Sequence, residues 1–168
     1  MILALNSGSL ATQVSCTGQS ILSNSEYIDV AFMTITFNNN TIAHIHVSWC
    51  DPHKVRETTA IGSKMKCTFD DMDNFPITMY HQSVDIDPQN QERSIFSDGS
   101  IEKPVVQSSE PLKNQVIDFL GRCTTNTAGA SGAPTHMSSL DEMFGLKVVA
   151  ILIAAETSVL QGGKPVSL

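Results

Sequence analysis

The chain has 168 residues, 41% of them hydrophobic and 16% charged, and a formal net charge of −7. That size allows one domain with a substantial core, and the acidic balance argues against a nucleic-acid backbone or an anionic membrane as the main partner. Cys16, Cys50, Cys67 and Cys123 are widely spaced and form no CxxC pair, which argues against a zinc knuckle or disulfide framework and for buried thiols in a cytoplasmic protein.

Met1-Ile-Leu-Ala-Leu5 is apolar but too short for a signal peptide, and it lacks a basic leader. Followed by Asn-Ser-Gly-Ser, it reads as the last turn of a helix with its stop, and so as part of a longer protein that begins further upstream. Residues 11–20 suit an edge strand. Four runs rich in β-branched and aromatic residues then fill Tyr27 to Asp71, separated by Asn38-Asn-Asn-Thr41, Asp51-Pro52 and Gly62-Ser-Lys64. This is the pattern of a four-stranded antiparallel meander, the expected core of the fold. Asn39-Asn40-Thr41 has the form of a glycosylation sequon, but its place between two strands makes it a hairpin turn.

Strand periodicity sorts the first two runs into faces. Asp29, Ala31, Met33, Ile35 and Phe37 share one face with Ala43, Ile45, Val47 and Trp49. Ile28, Val30, Phe32, Thr34 and Thr36 share the other with Ile42, His44, His46, Ser48 and Cys50. The first face should pack on helices. The second is too apolar for free water and too polar for a core, so Ile28, Val30, Phe32, Ile42, His44 and His46 are candidates for an interface between subunits.

After Asn74 the signal weakens. Ile77 to His81 is a candidate strand, Asp87 to Glu92 a loop, Ser97-Asp-Gly-Ser100 a turn, and Val105-Val106 part of another strand. Two helices close the chain. The first opens at Glu110-Pro111 with a stripe of Leu112, Val116, Phe119 and Leu120. After a Gly/Ala/Ser/Thr loop, the second is capped near Ser138 and runs to about Leu160. Phe144, Val148, Ile151, Ala155 and Val159 line one side of it, and Gly162-Gly163 stops it. The longest apolar run, Val148 to Ala155, is far short of the ~20 residues of a membrane span.

Sites of chemistry are few. His44 and His46 have a spacing that can hold a metal, but a third ligand would have to come from His53, Asp51 or His81, so no metal is expected. Asp70-Asp71 reads as a turn. There is no GxGxxG, phosphate loop or nucleophile elbow, so no catalytic or cofactor-binding residue is assigned.

Taken together, Phe37-Asn-Asn-Asn, Ala43-His-Ile-His-Val-Ser-Trp49, Asp51-Pro52, Lys54-Val-Arg56, Ile61-Gly-Ser-Lys64 and Asp70-Asp71 resemble the C-terminal domain of the glucose–fructose oxidoreductase / inositol dehydrogenase (Gfo/Idh/MocA) family. The resemblance continues through Glu110-Pro-Leu112 to Phe119. It ends with Gly145-Leu-Lys-Val-Val, Ala154-Ala155, Ser158 and Gly162-Gly-Lys-Pro-Val166. It implies a single α+β domain over 1–168. An open, predominantly antiparallel sheet would carry helices on one face and leave the other free to build a dimer or tetramer.

The resemblance further implies a Rossmann domain, in cis or in trans, that holds NAD or NADP, and a sugar, cyclitol or related hydroxy compound as substrate. The family's catalytic Lys and its Asp/His pair belong to segments before this one, and Glu102-Lys103-Pro104 lies too late in the sheet domain to match the Lys motif. Lys54 and Arg56 are the charged candidates for a substrate edge, with pairing to Asp51 or Glu57 as the structural alternative. Met65 replaces a Gly common in the family, and the loop from Thr124 to Met137 is longer than usual. A stand-alone module that kept the sheet for self-association is the competing expectation.

Overall fold

The elements in chain order are α1 (Ile2–Leu5), β1 (Ala11–Gln19), β2 (Val30–Phe37), β3 (Ile42–Ser48), β4 (Glu57–Ile61), β5 (Lys66–Asp70), β6 (Ile77–Tyr80), β7 (Ser83–Asp87), β8 (Asn90–Ser97), β9 (Ile101–Glu102), α2 (Pro111–Thr125), α3 (Glu142–Leu160) and β10 (Val166–Ser167). They come from a computed structural model that describes all residues except 23–26, 82, 88–89, 98, 107–108 and 126–141. For residues 83–87, 90–97, 122, 124–125 and 142–143 it describes the backbone. Two units emerge, Met1–Pro52 with Ala130–Leu168, and His53–Gly129.

In the first unit, an antiparallel sheet runs in the order β10-β1-β2-β3. The apolar alternation places Val14, Cys16, Ile35 and Phe37 on the face that meets Ile151, Ala154 and Ala155 of α3, and together they form the buried core. Ala31, Met33, Ala43, Ile45 and Val159 pack around it. The expected helical face is therefore covered from Ala31 to Phe37 and at Ala43 and Ile45, whereas Val47 and Trp49 of the same face remain exposed. The hairpin between β2 and β3 closes with the Phe37 amide donating to the Thr41 carbonyl at 3.0 Å. Asn40 takes φ 64°, a left-handed conformation that asparagine tolerates better than most residues. The end of α3 also follows its sequence. Gly162 and Gly163 adopt φ 72° and 89°, and the Gly163 amide returns to the Ser158 carbonyl at 2.8 Å.

In the second unit the sheet order is β4-β5-β6-β9, all antiparallel, beside a β7–β8 hairpin. The four runs from Tyr27 to Asp71 therefore do not form one meander. β3 pairs with β2, β4 pairs with β5, and no β3–β4 pairing occurs among the described residues. Between them lies Asp51-Pro52-His-Lys-Val-Arg56, where the proline has no N–H to give a ladder and restrains the residue before it.

Other expectations shift as well. β1 is not a free edge, because β10 pairs with it at Gln13 and Val14. The return of a two-residue strand from the far end of the chain leaves no local signal. Asn90 to Glu92 belong to β8 rather than a loop, since a ladder draws on backbone groups that polar composition does not report. Val105 and Val106 lie outside any strand, and β9 takes Ile101–Glu102 instead. The proposed cap at Ser138 lies outside the described residues. Leu112 and Phe119 of the α2 stripe remain exposed rather than packed.

Candidate functional site

Three features of the first and second units bear on function. The first is the open face of the β1–β3 sheet. Ladder register sets Phe32 opposite His46 and Thr34 opposite His44. The Phe32 and His46 rings stack with centroids 4.6 Å apart and planes within 6°. The Thr34 hydroxyl lies 3.2 Å from His44 Nδ1. Ile28, Phe32 and Ile42 expose 41%, 45% and 67% of their surface, His44 and His46 are exposed, and Val30 is half-buried. All six interface candidates thus lie uncovered or half-covered in the single chain. No group of three or more metal-ligating side chains exists among the described residues.

The second feature is a hollow of about 350 Å³ lined by Ile28, Asp29, Ala31, Val47, Ser48 and Trp49. The Asp29 carboxylate accepts from the Leu22 amide at 2.8 Å and the Ile21 amide at 2.9 Å, with the Ser20 hydroxyl at 3.4 Å. These bonds, the Leu22 amide first, hold its carboxyl below the usual carboxylate range against a smaller opposing effect of desolvation. The Asp29 carbonyl also accepts from the Trp49 amide at 2.8 Å, so one residue ties the chain before β2 to the end of β3. Trp49 itself is 83% exposed. Sequence reading placed Asp29 among apolar neighbours and missed this anchoring role. An aspartate two residues after Tyr27 and one before β2 was the available signal.

The third is the substrate-edge pair. Arg56 meets Asp71, not Asp51 or Glu57, with Nη1 to Oδ2 at 3.1 Å, and the Asp71 amide donates to the Arg56 carbonyl at 3.2 Å. Both side chains are largely exposed, so the ion pair contributes at most about 1 kcal/mol. Lys54 is exposed in the segment between β3 and β4. Asp70 ends β5 and Asp71 begins the expected turn, with Asp70 Oδ1 accepting from the Met72 amide at 2.8 Å. Lys103 is exposed just after β9.

No protein-family model and no curated protein sequence matches the chain. Solved structures do. An inositol dehydrogenase homolog from Azotobacter vinelandii complexed with NAD+ superposes with a TM-score of 0.68 at 13% identity, over 95% of this chain and 43% of that one. UDP-N-acetylglucosamine 3-dehydrogenase from Acidithiobacillus ferrooxidans gives 0.64 at 18%, over 94% and 45%. An aldose–aldose oxidoreductase from Caulobacter crescentus complexed with glycerol gives 0.63 at 15%, over 99% and 45%. The chain has the fold of the sheet domain of the Gfo/Idh/MocA-type oxidoreductases. It spans less than half the length of these neighbours.

Every strand pair among the described residues is antiparallel. No parallel pair occurs among them. Nor is any described helix long and apolar enough to cross a membrane.

Proposed function

We propose that this chain is the substrate-side and oligomerisation domain of an NAD(P)-dependent oxidoreductase acting on a sugar, cyclitol or related hydroxy compound. The observation that carries this reading is the superposition of nearly the whole chain on under half of each of several such enzymes. By itself the chain binds no dinucleotide and catalyses nothing. A Rossmann domain, in cis or in trans, supplies the NAD or NADP site and the proton-transferring groups.

Within that assembly the sheet domain contributes two things. The segment from Lys54 to Arg56 borders the substrate, where a cation can hold a hydroxylated or phosphorylated ligand. The open face, with Ile28, Val30, Phe32, Ile42, His44 and His46, is covered by a second copy in a cytoplasmic dimer or tetramer. Its apolar content makes burial favourable at roughly 25 cal/mol per Å² before the costs of association.

The test is turnover. The chain alone and the chain together with its dinucleotide-binding domain are assayed for NAD(P)+ reduction against a panel of inositols, aldoses and nucleotide sugars. Reduction by the pair with no activity in either part supports the reading. A pair that holds the cofactor yet oxidises no hydroxy compound refutes it.

A further inference from the structure

We propose that self-association through the open face is gated by protons at His44 and His46, so that neutral imidazoles pack against a second copy and acidification separates the chains. This rests on the reading of that face as a self-association surface.

The face is distinctive in its charge. Sharing it on β1 are Gln13, Ser15, Thr17 and Gln19, and on β2 Val30, Phe32, Thr34 and Thr36. None of these is ionisable, and β10 adds Ser167 beside Gln13. α3 covers the opposite face, through Val14 and Cys16. The two histidines are therefore the sole titratable groups that these paired strands present there. In a chain with a net charge of −7, a face whose described strand residues carry no carboxylate is where a second copy approaches with least like-charge repulsion. That favours a copy of this chain as the occupant.

Both rings are also fixed in place on the surface to be covered. His46 lies flat on Phe32 at 4.6 Å, and His44 sits 3.2 Å from the Thr34 hydroxyl. In a two-fold contact the same patch faces itself, so each imidazole meets only neutral groups or the histidines of the other copy. Covering a neutral imidazole costs little. Covering an imidazolium with no carboxylate to pair it is expensive. Histidine changes charge between pH 5 and 8, so this cost is switched on within a physiological interval. Separation takes up protons, so association weakens as the pH falls.

The experiment is sedimentation velocity of the full 168-residue chain across micromolar concentrations at pH 7.5 and 5.5, with circular dichroism to confirm that it stays folded. His44→Gln/His46→Gln is measured in parallel. The expected result is a dissociation constant that rises on the order of 100-fold for the native chain on acidification, and by less than about threefold for the double variant. A chain associated equally at both values overturns the gate and leaves the self-association reading standing. A monomer at both overturns the two together. An equal pH response in the double variant assigns the effect to other groups and overturns the gate.

Discussion

Ser158 is fully buried on α3, yet it is polar, and its hydroxyl stands where a strand would. The Cys16 amide donates to Ser158 Oγ at 2.8 Å, and Oγ approaches the Lys164 carbonyl at 2.7 Å and the Cys16 carbonyl at 3.3 Å. β10 pairs with β1 only at Gln13 and Val14, so the β10 side of Cys16 has no strand partner, and the serine takes its place. Ser158→Ala would orphan the Cys16 amide and weaken the hold on the Lys164 carbonyl. A buried unsatisfied group costs about 1–3 kcal/mol, and the better helix propensity of alanine returns roughly 0.5 kcal/mol. The expected net loss is about 0.5–2.5 kcal/mol. Urea unfolding monitored by circular dichroism would register it as a lower midpoint with an unchanged slope. Thr157→Ala is the control, because the Thr157 hydroxyl only returns to the Ile153 carbonyl of its own helix at 2.8 Å. It should shift stability by less than about 0.5 kcal/mol. A Ser158→Ala change as small as the control would refute the role of this hydroxyl as a surrogate strand.

Three further outcomes are expected. The Asp29 carboxyl is depressed in the folded chain, so its stabilising contribution is present above the ordinary value near 3.8 and is lost as pH falls through the lower folded value. Asp29→Asn should flatten the acid limb of the stability profile, and a side-chain carbon titration by NMR with a midpoint at or above the ordinary value would contradict this. Burial raises the Cys16 thiol, whereas Cys123 is exposed on α2, so a thiol reagent at neutral pH should label Cys123 rapidly and Cys16 only on unfolding. Peptide mapping that finds Cys16 labelled as fast as Cys123 would be the contrary result. Gly163→Ala should destabilise by about 1–3 kcal/mol, because φ 89° disfavours any side chain and the added carbon would come within 2.7 Å of Thr17 Cγ2. Unchanged thermal stability would remove the strain argument.

Much of this was legible in the sequence because the signals were local. The alternation from Ala31 to Phe37 and from Ile42 to Trp49 identified which face meets α3, and Gly162-Gly163 marked its end. The ordered motifs from Phe37 to Val166 led to a fold that the solved structures share. What stayed hidden depended on distant partners. The division of the meander at Pro52, the capture of β1 by Val166 and Ser167, and the Ser158–Cys16 contact all join residues whose own neighbourhoods give no hint of one another. Arg56 illustrates the same limit, since its aspartate partner is 15 positions away across a hairpin rather than adjacent.

The proposed role of this fold as one half of a dinucleotide-linked oxidoreductase is tested by NADH binding read by fluorescence. The account predicts no enhancement with the 168-residue chain alone and a saturable one once its dinucleotide-binding domain is present, with the sheet domain altering the affinity or its response to a polyol. Saturable NADH binding by the isolated chain, or a dinucleotide-binding domain indifferent to its presence, would contradict it.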